Sequence, residues 1–186
     1  MADKQLRKGK KKWFTILAPQ EFKNVEVGET LSYEPEGLIG RGMNVNLMNL
    51  TGDPKKQNME VALKINKVNG SIAETEAVGF YLVRTYVKRL ARNGARKIDE
   101  SYKFDLKDKI KIVIKPVIVT KSKTHNSVMA ALRKKTHEFL KDYCDKNEYE
   151  KVLLSVTGNQ LQRELQKILS KVYPVTVCQF RIVERI

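Results

Sequence analysis

Positive charge in this chain is gathered into a few places, and that segregation decides which segments can enter a core. Residues 1–12 hold Lys4, Arg7, Lys8, Lys10, Lys11 and Lys12 against Asp3 alone. Residues 84–97 hold Arg84, Lys88, Arg89, Arg92, Arg96 and Lys97, and residues 121–135 hold Lys121, Lys123, Arg133, Lys134 and Lys135, with no acid in either stretch. These segments carry a formal +16 and the other 145 residues −1, which gives the net +15. Unpaired charges are too costly to bury, so these side chains belong on the surface and the core must come from the rest. Like charge collected this way repels itself and calls for a polyanionic partner. Phosphate backbones fit, because each neutralised phosphate releases condensed counterions.

The remaining pattern predicts an α+β fold. Residues 1–12 offer no apolar face and read as a mobile basic arm. At Trp13 the composition changes, and Trp13–Leu17 reads as a strand stopped by Pro19, which cannot donate to a ladder. Val25–Val27 and Thr30–Tyr33 read as short strands around Gly28. Met43–Leu50 and Glu60–Val68 alternate at the period of half-buried strands, and Asn69-Gly70 closes the second as a turn. Val83, Val87 and Leu90 then predict a helix over about 75–93, with Arg84, Lys88 and Arg92 in one row and Gly94 at its C-cap. Lys109–Val119 reads as a strand with Ile110, Ile112 and Ile114 inward.

A basic turn, 121–124, leads to a helix over about 127–143 whose apolar line is Met129, Leu132, Phe139 and Tyr143. Thr157 with Gln160 resembles a capping box for a third helix, and Val175–Arg185 closes the chain as a strand. The expected architecture is a largely antiparallel sheet, with barrel-like closure left open, packed with about three helices. A basic arm over 1–12 and a single domain over 13–186 suit the length of 186 residues. No apolar run has the length of a membrane span, which predicts a soluble, cytoplasmic protein.

Candidate chemistry is sparse. Cys144 and Cys178 read as small buried hydrophobes in a reducing compartment, and no metal-ligand or cofactor pattern is present. Trp13 borders Lys10, Lys11 and Lys12, where an exposed indole could stack on a base; as the first residue of a strand it is expected instead to pack inward. Gly37-Leu38-Ile39-Gly40 matches a backbone-clamping GxxG, but it sits between strands rather than helices. A turn whose Arg41 touches phosphate is the better reading. Glu74 with Glu76, and Asp99 with Glu100, are expected in loops in structural roles. No nucleophile–base pair emerges, so an enzyme is not expected.

Four segments together resemble the small-subunit ribosomal protein family that archaea share with eukaryotes, the S3Ae or eukaryotic-type S1 family. They are Lys10–Phe14 with Ala18-Pro19, Phe22 and Gly28-x-Thr30-Leu31; Gly40-Arg41-Gly42-Met43-x-Val45-x-Leu47-x-x-Leu50; Thr120-Lys121 and Thr124 followed by Arg133-Lys134-Lys135; and Val172–Val175 leading to Phe180–Val183. The resemblance implies a structural protein on the platform of the small subunit, near the messenger exit, in contact with ribosomal RNA and neighbouring ribosomal proteins. The chain's compact length resembles archaeal members. The expected RNA contacts are Lys8, Lys10, Lys11, Lys12, Arg41, Arg84, Lys88, Arg89, Arg92, Arg96, Lys97, Lys121, Lys123, Arg133, Lys134 and Lys135. The competing reading is a free-standing chromatin or single-strand nucleic-acid binder.

Overall fold

The computed structural model describes residues 10–90 and 93–186. Among these, nine strands form one mixed, mostly antiparallel sheet accompanied by five α-helices rather than three. The sheet stays open and does not close as a barrel. Its order is β2 (Glu26–Ser32), β1 (Lys12–Leu17), β5 (Ile72–Leu82), β9 (Val175–Arg185), β8 (Lys111–Thr120) and β6 (Lys97–Asp99). One edge of β5 carries β4 (Met59–Asn69), which in turn carries β3 (Gly42–Asn46); the other edge is shared between β1 and β9. In the same way β8 pairs with β9 along its length and shares its far edge between β7 (Tyr102–Asp105) and β6. The pairing of β1 with β5 is parallel.

Local chemistry explains where the sequence pattern misleads. Ile72–Leu82 was expected to be largely helical but is a strand hydrogen-bonded to β4 from Asn69–Ile72 to Met59–Leu82. A bulge lets Ala62 and Leu63 face Gly79 and Ala77, leaving Val78 unmatched. The buried positions therefore change parity, from Ala73 and Thr75 to Phe80 and Leu82, and simple alternation is lost. The helix, α2 (Arg84–Leu90), begins only after Leu82 and buries Val87. Glu74 and Glu76 consequently lie on a strand, not in a loop, and Asp99 ends β6.

Met43–Leu50 is likewise not one strand. The Asn46 side chain accepts from the Met48 N–H at 2.9 Å and caps α1 (Leu47–Thr51), which Gly52 ends at φ 70°. An Asn that offers its neighbours a cap competes with the ladder. The two short strands expected around Gly28 are one strand, β2 (Glu26–Ser32), running through it.

The helix expected over 127–143 is α3 (Asn126–Lys146). Its buried line is Met129, Leu132, Thr136, Leu140 and Cys144, whereas Phe139 and Tyr143 are only partly buried. Thr157 caps nothing downstream. It is the last residue of α4 (Tyr149–Thr157), and its hydroxyl donates back to the Leu154 carbonyl at 3.0 Å. Asn159, left-handed at φ 58°, reverses the chain into α5 (Gln160–Ser170). Leu161, Leu165 and Leu169 recur at helical spacing and are buried, each contributing about 2 kcal/mol of apolar burial.

Helix residues such as Leu132, Leu140 and Leu165 share one core with Ile112, Ile114, Phe180 and Val183 of the sheet. A smaller core gathers Phe14, Ile16, Leu38, Ile65 and Ala73 under the β1–β4 corner. Both cysteines are buried, as expected.

Candidate nucleic-acid interface

Strand direction organises the charge. β6 runs antiparallel to the end of β8, with Lys97 opposite Val119 and Asp99 opposite Val117. That pairing lays the end of the first basic stretch against the start of the second. The join is fixed at Thr120, which is 1% exposed. Its hydroxyl accepts from the Arg96 N–H at 2.9 Å and donates to the Ser122 carbonyl at 2.8 Å. Its own N–H donates to the Arg96 carbonyl at 2.9 Å. The turn beyond is tied down by Lys121 N–H to the Pro174 carbonyl at 3.0 Å, and by Ser122 Oγ at 2.7 Å from the Tyr173 hydroxyl. What the sequence presents as two stretches 24 residues apart thus meets at one corner of the sheet.

Availability of the cations differs from residue to residue. Among the described residues, Arg84, Lys88, Arg89, Arg96, Lys121, Lys123 and Lys134 are exposed and have no carboxylate within ion-pair distance. Lys97 is paired with Asp99 at 3.1 Å, Arg133 with Glu100 at 2.5 Å, and Lys135 with Glu138 at 3.2 Å. The Arg133 pair spans from the end of β6 to α3. Beside it the Tyr102 hydroxyl donates to the Arg133 carbonyl, and the rings of Tyr102 and Phe104 lie 5.3 and 5.4 Å from His137. These contacts pin the first half of α3 to β7. Arg92 and Lys8 lie outside the described residues, so within them the expected row on α2 consists of Arg84 and Lys88.

Arg41 is exposed and also hydrogen-bonds within its own fold. Its Nε donates to the Gly37 carbonyl at 3.0 Å, and Nη1 reaches Thr30 Oγ1 at 3.3 Å and the Leu31 carbonyl at 3.4 Å. The Gly37–Gly40 turn packs Leu38 into the small core, so it serves structure.

At the opposite end of the strands lies a second basic feature. β1 is parallel to β5, which is antiparallel to β9, as is β8, so Lys12 begins a strand at the end away from Thr120. Trp13 was expected to pack inward, yet it is 65% exposed. Phe14 and Ile16 take the inner face of β1, and a period of two leaves the indole outside. Lys11 Nζ stands 5.2 Å from the centre of the Tyr33 ring. Lys10, Lys11 and Lys12, which lead directly into Trp13, are exposed.

A model of the Ribosomal S3Ae family matches residues 4–186. The chain belongs to the Ribosomal S3Ae family. Three relatives, each called small ribosomal subunit protein eS1, show the extent of the likeness. That of Methanopyrus kandleri is 32% identical over 94% of this chain and 84% of its own length. That of Nanoarchaeum equitans is 31% identical over 89% and 83%, and that of Methanobrevibacter smithii 30% over 89% and 86%. S3Ae proteins are ribosomal components rather than enzymes. Among the described residues no helix is long and apolar enough to cross a membrane.

Proposed function

We propose that this chain is a structural constituent of the small ribosomal subunit, held there by ribosomal RNA phosphates at the Thr120 corner. The observation that carries the reading is the juxtaposition of the two basic stretches through Thr120 and Arg96, with seven of their exposed cations lacking acidic partners among the described residues. Folded RNA is recognised largely through shape and backbone, and a rigid corner presenting Arg and Lys suits that task. Arg84, Lys88, Arg89, Arg96, Lys121, Lys123 and Lys134 are the principal contacts. Lys97, Arg133 and Lys135 contribute less, because their carboxylate partners already offset their charge.

Residues 13–186 act as one RNA-binding unit, and Lys10, Lys11 and Lys12 add a second cationic contact; residues 1–9 of the expected basic arm lie outside the described residues. At the arm's root Trp13 supplies a stacking surface. The platform position near the messenger exit rests on the family resemblance, and cross-linking to the 3′ end of the small-subunit RNA tests it. The main experiment combines Arg84→Glu, Lys88→Glu, Lys121→Glu and Lys123→Glu. The variant folds with an unchanged circular dichroism spectrum but is lost from small subunits after a high-salt wash. Its normal retention in the particle would refute the reading.

A further inference from the structure

β8 has two electrostatic poles. Its C-terminal end is the basic corner; about 30 Å away along the strand, its N-terminal end opens on a cleft of about 590 Å³. Six carboxylates line that cleft: Glu21, Glu74, Glu76, Asp108, Glu148 and Glu150, with Arg185 as the single basic residue among them. More than a quarter of the 21 acids of a chain with net +15 are thus collected in one concavity. They come from five places in the sequence: the turn after β1, strand β5, the β7–β8 turn, the residue before α4, and α4 itself.

Their internal neutralisation is weak. Arg185 reaches Glu76 and Lys107 reaches Glu148 only at 3.9 Å. Glu74 accepts from Asn69 at 2.8 Å, and Asp108 accepts from the Tyr149 N–H at 3.0 Å. Those bonds hold carboxylates in place without removing their charge. Among the described residues, two polar atoms at the cleft have no hydrogen-bond partner: Glu21 Oε2 and the hydroxyl of Tyr149. Tyr149 is 7% exposed, and its hydroxyl sits in the field of Arg185 and Glu76, both on the cleft wall. A buried hydroxyl without a hydrogen bond is unfavourable, so the cleft wall holds a polar group whose bonding is unmet.

We propose that this cleft is a docking site for a lysine- and arginine-bearing extended segment of another protein. Among the described residues the carboxylates form no cluster of metal-binding geometry, so the cation is not a metal ion held by side chains. The walls between the acids include Leu17, Ala18, Ile110 and Leu153. Apolar walls below a carboxylate rim suit the aliphatic stem and charged head of Arg or Lys. Phosphate is repelled from such a surface, so RNA is excluded from the cleft itself. The proposal stands independently of the RNA contacts.

The test uses the full-length chain and a fluorescein-labelled eight-residue peptide of alternating Arg and Ala, followed by anisotropy. Binding to the combined Glu21→Gln, Glu74→Gln and Glu150→Gln variant falls at least tenfold. Binding to the Arg84→Glu, Lys88→Glu variant stays within twofold of the parent. Equal binding by the parent and the Gln variant overturns the proposal. So does displacement of the peptide by spermidine at concentrations equal to the peptide's own Kd, which would make this a polyamine site. In assembled small subunits, a photo-crosslinker replacing Glu150 marks a Lys/Arg-rich stretch of a neighbouring protein; cross-linking to RNA instead overturns it.

Discussion

The hydroxyl of Thr120 accepts from the backbone N–H of Arg96 at 2.9 Å, and the Thr120 N–H returns a bond of 2.9 Å to the Arg96 carbonyl. A single buried residue therefore sets the separation of two basic segments, one entering β6 and the other leaving β8. Thr120→Val keeps the shape and removes the acceptor. It leaves the Arg96 N–H unsatisfied and should cost about 1–3 kcal/mol, read as a lower urea midpoint at unchanged slope. Thr120→Ser should keep most of the stability. Equal stability of the parent and Thr120→Val would show that the bond contributes nothing.

Ion pairing separates cations that the sequence cannot rank. Arg84 has no carboxylate partner among the described residues, whereas Arg133 is held by Glu100. Arg84→Ala should lower the slope of log affinity against log salt by about 0.7–0.9, the loss of one phosphate contact. Arg133→Ala should change it less and reduce stability instead. Equal slopes for the two variants would contradict this division.

Trp13 is the chain's sole tryptophan and is 65% exposed. Its fluorescence should show a solvent-exposed maximum and be quenched when small-subunit RNA binds. Trp13→Ala should unfold within about 0.5 kcal/mol of the parent yet bind RNA more weakly, base stacking being worth about 1–3 kcal/mol. An emission maximum unchanged by RNA would remove the stacking role.

Burial pushes the thiols of Cys144 and Cys178 up to about 12, from an ordinary value of 9.0. Both are neutral at physiological pH and inert to thiol reagents until the chain opens. The folded state prefers the protonated form, so this contribution to stability is complete below pH 9. It is lost as pH rises from 9 toward 12, because the unfolded thiols ionise first. Titration with a chromogenic disulfide at pH 8 should label both cysteines only in denaturant; rapid labelling of the native protein would contradict their burial.

Much of the sheet is legible in the chain because period-two alternation survives wherever a strand keeps its register. Val175–Arg185 matches its predicted bounds, and Glu60–Val68 lies within Met59–Asn69. Ile72–Leu82 was hidden because the bulge at Val78 changes which parity is buried, a property of its pairing with β4. The strands Lys97–Asp99 and Tyr102–Asp105 were hidden because they are short and owe their form to β8. The helix Tyr149–Thr157 was missed because nine residues give a weak periodic signal.

The basic stretches were visible residue by residue, but their meeting at Thr120 was not, because it depends on a contact between residues 24 apart. The acidic cleft had no local signal at all: its carboxylates come from separate segments and gather only on folding.

What the sequence determined by itself is local: which stretches are too charged to bury, where alternation makes strands, and which family the motifs resemble. What only the tertiary structure decided is relational: that two basic stretches share a corner, that Arg41 hydrogen-bonds to its own loop, that Trp13 faces water, and that the acids collect at the other end of β8. The physical reason is that charge and periodicity act over a few residues. Pairing register, burial and salt bridges are set by partners whose distance along the chain carries no information about their distance in space.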